Sequence, residues 1–177
     1  MRLVTALRTS LAVLALGAAV ACGDNVSPMS PPPSVAPSLL GGVGTIVDGV
    51  LHLAVCKPHQ ETWKTATIGG GGGTINLGDG TVFAVPAGAL SSSVSITVHE
   101  LSGTAMAVEF APAGLRFAVP AKLTMSYTQC LVPPLLPARV VYVQGGVITE
   151  TEPSLANLLF RTVTGNISHF SSYAVAY

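Results

Sequence analysis

The stretch that decides the fold runs from Gly69 to Val98, GGGGGTINLGDGTVFAVPAGALSSSVSITV. Thr74-Ile75-Asn76-Leu77 and Val94-Ser95-Ile96-Thr97-Val98 alternate polar and apolar side chains, the period of a strand with one buried face. Gly78-Asp79-Gly80 separates the first of these from Thr81-Val82-Phe83. It has hairpin-turn chemistry, because glycine takes positive φ without penalty. Pro86-Ala87-Gly88 turns the chain again, with proline presetting φ. Three strands and two turns predict a small antiparallel sheet, with no catalytic constellation on it.

Outward from this stretch the β pattern continues. Met106, Val108 and Phe110 fall on one face, Pro112-Ala113-Gly114 makes a turn, and Leu123, Met125 and Tyr127 alternate with Lys122, Thr124 and Ser126. Phe-Ala-Val-Pro-Ala occurs at Phe83 and again at Phe117, too short for a repeat unit and read as two similar strand exits. Gly145-Gly146 predicts a two-residue hairpin, and Gly165-Asn166 a tight turn. Leu155 to Leu159 reads as a short helical turn or an irregular crossing, and Tyr173, Val175 and Tyr177 face one way. The apolar loop Leu131-Val-Pro-Pro-Leu-Leu-Pro137 either caps the sandwich, the favoured reading, or lies exposed as a contact patch. The fold class expected is all-β, a single antiparallel β-sandwich over residues 66–177.

Several of these segments carry a family resemblance. Gly-Gly, a strand, Pro86-Ala87-Gly88-Ala89-Leu90 and a second strand resemble the opening of the ZU-five domain, shared by zonula occludens proteins, Unc-type netrin receptors and ankyrins. Phe110 to Leu115, Phe117 to Leu123 and His169 to Val175 fit the same pattern, which is also similar to bacterial surface lipoproteins bearing one such module. The resemblance implies an antiparallel β-sandwich used for protein contacts. His169-Phe170-Ser171 further resembles the site at which some death-domain adaptors cut themselves. That likeness implies attack by Ser171 on the preceding carbonyl, with His169 taking the proton. The plainer reading makes these three residues the start of an edge strand, with Phe170 in the core.

The beginning of the chain reads as export machinery. Residues 1–21 have a charged start at Arg2 and Arg8, an apolar centre from Leu11 to Val20 and a small-residue cleavage site at Ala19-Val20-Ala21, a signal peptide pattern. Cys22 follows directly, and Ala-Val-Ala-Cys resembles a bacterial lipobox. Three cysteines support acylation, because lipid on Cys22 leaves Cys56 and Cys130 as an even pair. Residues 22–42 form a Ser/Pro-rich spacer whose composition opposes regular structure. Residues 43–65 form an amino-terminal arm, where Val43, Ile46, Val47, Val50, Leu51 and Ala54 lean towards a short amphipathic helix. A strand over Val50 to Val55 is the alternative.

The remaining features bear on function. Charged residues are only 9% of the chain, and without Arg2 and Arg8 six basic residues face eight acidic ones, about −2 in net charge, which excludes the basic footprint of a nucleic-acid binder. Cys56-Lys-Pro-His59 is half a zinc site without its other half, so a Cys56–Cys130 disulfide is the stronger reading in an oxidising envelope, with no metal and no cofactor expected. The glycines Gly69 to Gly73 lack the Gly-Lys-Ser/Thr of a phosphate loop and read as a flexible entry or a bulge. His52, His59, His99 and His169 are scattered, and Glu100, Glu150 and Glu152 read as solvated strand residues. The chain is therefore expected to be a non-catalytic binding or structural module. It would be exported, held to a bacterial membrane through Cys22 and directed at a protein or envelope polymer. A polysaccharide-binding variant would need exposed aromatics, for which Trp63, placed outside the core sheet, Tyr142 and Tyr173 are the candidates.

Overall fold

The computed structural model describes residues 45–46 and 49–177, with side chains from Leu51 onward. The residues read from sequence as a signal peptide, Cys22 and the residues read as a Ser/Pro spacer lie outside the described residues. The chain first forms β1 (Thr45–Ile46), β2 (Gly49–Val50), β3 (Val55–His59), β4 (Thr62–Ile68), β5 (Gly73–Asn76) and β6 (Val82–Val85). Next come β7 (Val94–Glu100), β8 (Gly103–Ala105), β9 (Ala107–Ala111), β10 (Arg116–Ser126) and β11 (Cys130–Leu131). The last strands are β12 (Arg139–Gln144), β13 (Val147–Thr151), β14 (Ser154–Asn157), β15 (Thr162–His169) and β16 (Ser172–Ala176). Every named strand pair is antiparallel.

Two sheets make the sandwich. One has the order β14-β15-β10-β6-β5 and the other β13-β12-β16-β9-β7-β4. Their facing sides supply one core, in which Ile75, Phe83, Leu123, Met125, Val163 and Ile167 meet Ile96, Val98, Val108, Phe110, Val140 and Tyr173. The strict alternation of buried and open residues along β7 and β15 is what a two-layer β core demands. Phe83, Phe110, Phe117 and Phe170 form an aromatic cluster, with ring centroids 4.7 Å apart for the stacked Phe110–Phe170 pair.

The Gly69–Val98 stretch divides between the layers. β5 and β6 form the expected hairpin around Gly78-Asp79-Gly80, but β7 belongs to the other sheet, between β4 and β9. The predicted three-stranded sheet is therefore corrected to a hairpin plus a crossing. The connection from Pro86 to Ser93 buries Ala89 and Leu90, so it passes across the core edge instead of reversing in plane. Gly69 and Gly72 pair in a tight turn, and a Cβ at Gly72 (φ 77°) would lie 2.5 Å from the Val85 carbonyl oxygen. The glycine run is thus held by a close backbone approach at this position.

The amino-terminal arm holds no helix among its described residues. β1 and β2 pair with each other, Leu53 bridges Ala176, and β3 pairs with β8 and β11. The helical spacing of apolar residues loses to strand pairing because Leu51 and Leu53 have a surface to cover. They pack on a second cluster of Ala107, Val141, Val143, Ile148, Ala174 and Ala176, on the outer face of the six-stranded sheet. The sandwich also starts upstream of residue 66, since β4 pairs with β7 from Thr62 onward, and Trp63 lies on that strand, inside the sheet.

Three smaller expectations are corrected, and the shared face of Tyr173, Val175 and Tyr177 is borne out. Ser154–Asn157 is a strand paired with β15, not a helical turn. Gly165 and Asn166 lie within β15, where Gly165 lets Val140 approach, a Cβ there falling 2.7 Å from the Val140 Cβ. Pro120 sits inside β10 at a register irregularity, not at a strand exit. β16 is covered on both faces, so Tyr173 and Val175 enter the main core while Ala174 and Ala176 enter the second cluster.

Candidate functional site

The outer face of the six-stranded sheet is only half covered. In register across it stand Trp63 on β4, His99 on β7, Glu109 on β9 and Ser172 on β16. The side chains of this row share a face because directly paired residues of an antiparallel ladder point the same way. Beyond Ser172 the row continues into Val143, which the second cluster buries. The half carrying Trp63 is bare.

A shallow groove of about 390 Å³ runs there, lined by Glu61, Trp63, Thr97, His99, Glu109 and Ala111. Trp63 is 63% exposed, and its ring meets His99 edge-on with centroids 6.1 Å apart. His99 Nε2 lies 3.1 Å from Glu61 Oε2, so the imidazole is braced between a carboxylate and the indole. Ser172 Oγ donates to Glu109 Oε1 at 3.3 Å, and Thr65 and Thr97 hydroxyls meet at 2.7 Å on the same face. The arrangement offers one flat aromatic surface flanked by carboxylates and hydroxyls. That chemistry suits binding of a neutral polyhydroxylated or amide-bearing surface. Sequence reading missed the groove because its residues are separated by up to 50 positions, from Glu61 to Ala111, and only the strand register unites them.

A second cleft, of about 280 Å³, lies beside the disulfide and includes His59, Asp79 and Glu100. Glu100 is corrected from a solvated residue to a buried one, 3% exposed, on the inner face of β7. Thr81 Oγ1 donates to its carboxylate at 2.7 Å, and His59 Nε2 is 3.7 Å away. Burial raises the Glu100 pKa above its ordinary 4.5, the Thr81 hydrogen bond opposes this, and Asp79 adds to the rise. Glu152, also buried, is raised by burial and by Glu150.

A raised carboxyl binds its proton more tightly in the folded chain than in the unfolded one. Stability is therefore greatest below the ordinary value and declines as pH climbs from about 4.5 through the raised folded value. Glu100→Gln keeps an acceptor for Thr81 and removes the buried charge. Its unfolding midpoint at neutral pH should exceed that of wild type, with a shallower decline between pH 4.5 and 8 from the remaining Glu152. Thermal melts across that range check this, and identical slopes in the two proteins would refute it.

The residues singled out from sequence are distributed as follows. Cys56 and Cys130 are joined in a disulfide and occupy paired positions on β3 and β11. Among the described residues no group of three His, Cys, Asp or Glu side chains is arranged to hold a metal. His169 ends β15, Phe170 is buried, and Ser171 lies between β15 and β16 as the chain passes from one sheet to the other. No hydrogen bond joins His169 and Ser171. The His169 carbonyl accepts the Tyr173 hydroxyl at 2.7 Å, and its ring stands edge-on to Tyr142 with centroids 5.4 Å apart. The Phe170 N–H donates to the Leu115 carbonyl at 2.7 Å. Tyr173 is fully buried, and burial pushes its hydroxyl pKa up. Of the three aromatic candidates for polymer contact, only Trp63 is strongly exposed.

No family model matches the chain, and no curated protein is significantly similar to it.

Proposed function

We propose that this chain is an exported lipoprotein, acylated at Cys22, whose ZU-five-like β-sandwich is a non-catalytic binding module of the bacterial cell envelope. The anchoring half of the reading rests on the charged start, apolar centre, Ala-Val-Ala-Cys junction and Ser/Pro spacer. The binding half rests on one observation, the bare half-sheet on which Trp63 stands exposed over a groove with His99, Glu61 and Glu109. The same observation favours an envelope polysaccharide as the polymer bound, since sugar rings stack on exposed indole and their hydroxyls pair with carboxylates. Cleavage at Phe170–Ser171 is the lesser reading, because the Phe170 N–H and C=O are both bonded to the Leu115–Gly114 backbone and the Tyr173 hydroxyl holds the His169 carbonyl.

Trp63 is the single tryptophan of the chain, so its fluorescence reports directly on the groove. Titrating purified protein with soluble peptidoglycan fragments and other envelope glycans should shift or quench this emission. For a ligand identified in that way, Trp63→Ala should weaken binding, followed by calorimetry, by roughly ten- to a hundredfold, the usual loss on truncating an aromatic anchor. A wild-type emission unmoved by every polymer would remove the glycan reading. Anchoring is tested apart from this, by detergent partitioning of wild type and Cys22→Ala. Both proteins staying in the aqueous phase would remove the lipoprotein reading.

A further inference from the structure

The hairpin between β14 and β15 closes on the Asn157–Thr162 pair and leaves a four-residue turn, Leu158-Leu159-Phe160-Arg161. Asn157 Oδ1 accepts the Phe160 N–H at 3.2 Å, and Arg161 takes a positive φ of 49°, which a non-glycine residue adopts only when its surroundings hold it there. The hold is visible. The Arg161 guanidinium donates to the Cys130 carbonyl at 2.8 Å and lies 5.0 Å from the Tyr127 ring centre, while the Tyr127 N–H donates to the Arg161 carbonyl at 2.8 Å. The turn is thus clamped to the body of the sandwich. Its three apolar side chains are all exposed, Leu159 by 84%.

Turns are normally built from Gly, Asn, Asp, Ser and Pro, and three consecutive exposed large apolar residues are a pattern that soluble folds avoid unless it is used. The clamp also brings in a second apolar segment. Cys130, held by Arg161, leads straight into Leu131 to Pro137, where Leu131 and Leu136 are exposed and Leu135 is 91% exposed. The cap that its apolar composition predicts does not form, since of its large side chains only Val132 is buried. Leu131 is paired across the ladder with Val55, itself exposed. No charged side chain occurs in Leu131–Pro137 or in Leu158–Phe160.

We infer that this clamped apolar tip, Leu158-Leu159-Phe160 together with the Leu131–Leu136 loop, inserts into the headgroup–acyl boundary of a lipid bilayer. A bilayer fits better than a protein partner for two reasons. The tip is a tight turn bearing exposed, charge-free side chains, which a fluid apolar phase accepts without a matching cavity. The path of the chain supplies the second reason. Val55, paired with Leu131 at the edge of the patch, lies only 33 residues after Cys22, so an acylated chain would hold this edge within about 110 Å of the membrane, an upper limit because Leu51 and Leu53 are packed on the sandwich. Tethering at that range raises the effective concentration of the tip at the bilayer to the order of millimolar or more, enough for a weak insertion to be populated. Insertion would then set how the sandwich is oriented on the membrane. The setting rests on the lipoprotein reading, but the insertion itself does not.

The test therefore omits the anchor. Mature chain carrying Cys22→Ala, Trp63→Phe and Leu159→Trp has its only tryptophan at the tip. Adding phosphatidylcholine vesicles should shift its emission to the blue, with little change between 50 and 500 mM salt because the tip is uncharged, roughly the opposite of polybasic binding. In sedimentation with the same vesicles, mature Cys22→Ala chain should partition at least about tenfold better than its Leu158→Ser/Leu159→Ser/Phe160→Ser derivative. Circular dichroism and melting of that derivative verify that it is folded, and Leu135→Ser/Leu136→Ser provides an independent second lesion with the same expected loss. Unshifted emission, equal sedimentation of all variants, or a tip-dependent dimer with no vesicle binding would overturn the inference. None of these outcomes bears on whether Cys22 is acylated.

Discussion

Phe170→Ala is expected to destabilise the sandwich by about 3–5 kcal/mol, the usual cost of emptying a buried aromatic site. Phe170 is 3% exposed and lies within 5.6 Å, centroid to centroid, of Phe83, Phe110 and Phe117. Those three rings come from β6, β9 and β10, so the cavity would open where the two sheets meet. They cannot collapse into it without moving the strands that carry them. Urea unfolding of wild type and variant checks this, and a loss below about 1 kcal/mol would mean that the aromatic cluster is not the centre of the core. Ser171→Ala, one residue along, should alter stability by less than about 0.5 kcal/mol, because that side chain holds no bond in the fold. Intact mass of wild type after prolonged incubation at neutral pH should show one uncleaved chain. A fragment beginning at Ser171, absent from Ser171→Ala, would restore the self-processing reading.

Removing the disulfide, by Cys56→Ser with Cys130→Ser, is expected to cost about 4 kcal/mol in the chain-entropy model. The bond closes a loop whose ends are 74 residues apart in sequence. It joins the amino-terminal arm to the segment that follows β10, and both cysteines are buried. The double variant should nevertheless fold, because the ladders of the five- and six-stranded sheets do not depend on β3 or β11. Denaturation of the variant, beside wild type with and without reductant, measures the loss. Unchanged stability would show that the arm's strand pairing alone holds it, and free thiols at both positions in the oxidised protein would remove the bond itself.

The two surface features have different physical characters. The Trp63 groove is shallow and mixed in character, with an exposed indole beside His99 and the carboxylates of Glu61 and Glu109. The Leu158–Phe160 tip is apolar throughout and strongly exposed. A module with both would hold one surface against lipid and present another to a polymer, and the two can be disabled separately by Trp63→Ala and by the tip substitutions.

What the sequence determined by itself is everything written in local periodicity and turn chemistry. The β6 and β7 strands, the Gly78-Asp79-Gly80 and Gly145-Gly146 hairpins and the all-β class follow from alternation and from glycines able to take positive φ. The disulfide was legible because only two cysteines remain once Cys22 is set aside. Tertiary structure alone decided the rest. Alternation states that one face of a strand is buried, but not which sheet the strand joins, so it groups β7 with β5 and β6 while the register sets β7 between β9 and β4. The arm's apolar spacing of three and four residues reads as a helix, and only the apolar surface of Ala174 and Ala176, which Leu51 and Leu53 cover, explains why it extends as strands instead. Glu100 and Glu152 looked like solvated strand residues because burial of a carboxylate depends on what crosses over it, which no local pattern records. Both surfaces on which function is argued are of this kind. The groove exists because strand register aligns Trp63, His99 and Glu109, and the apolar tip because Arg161 ties a turn to a carbonyl 31 residues earlier in the chain.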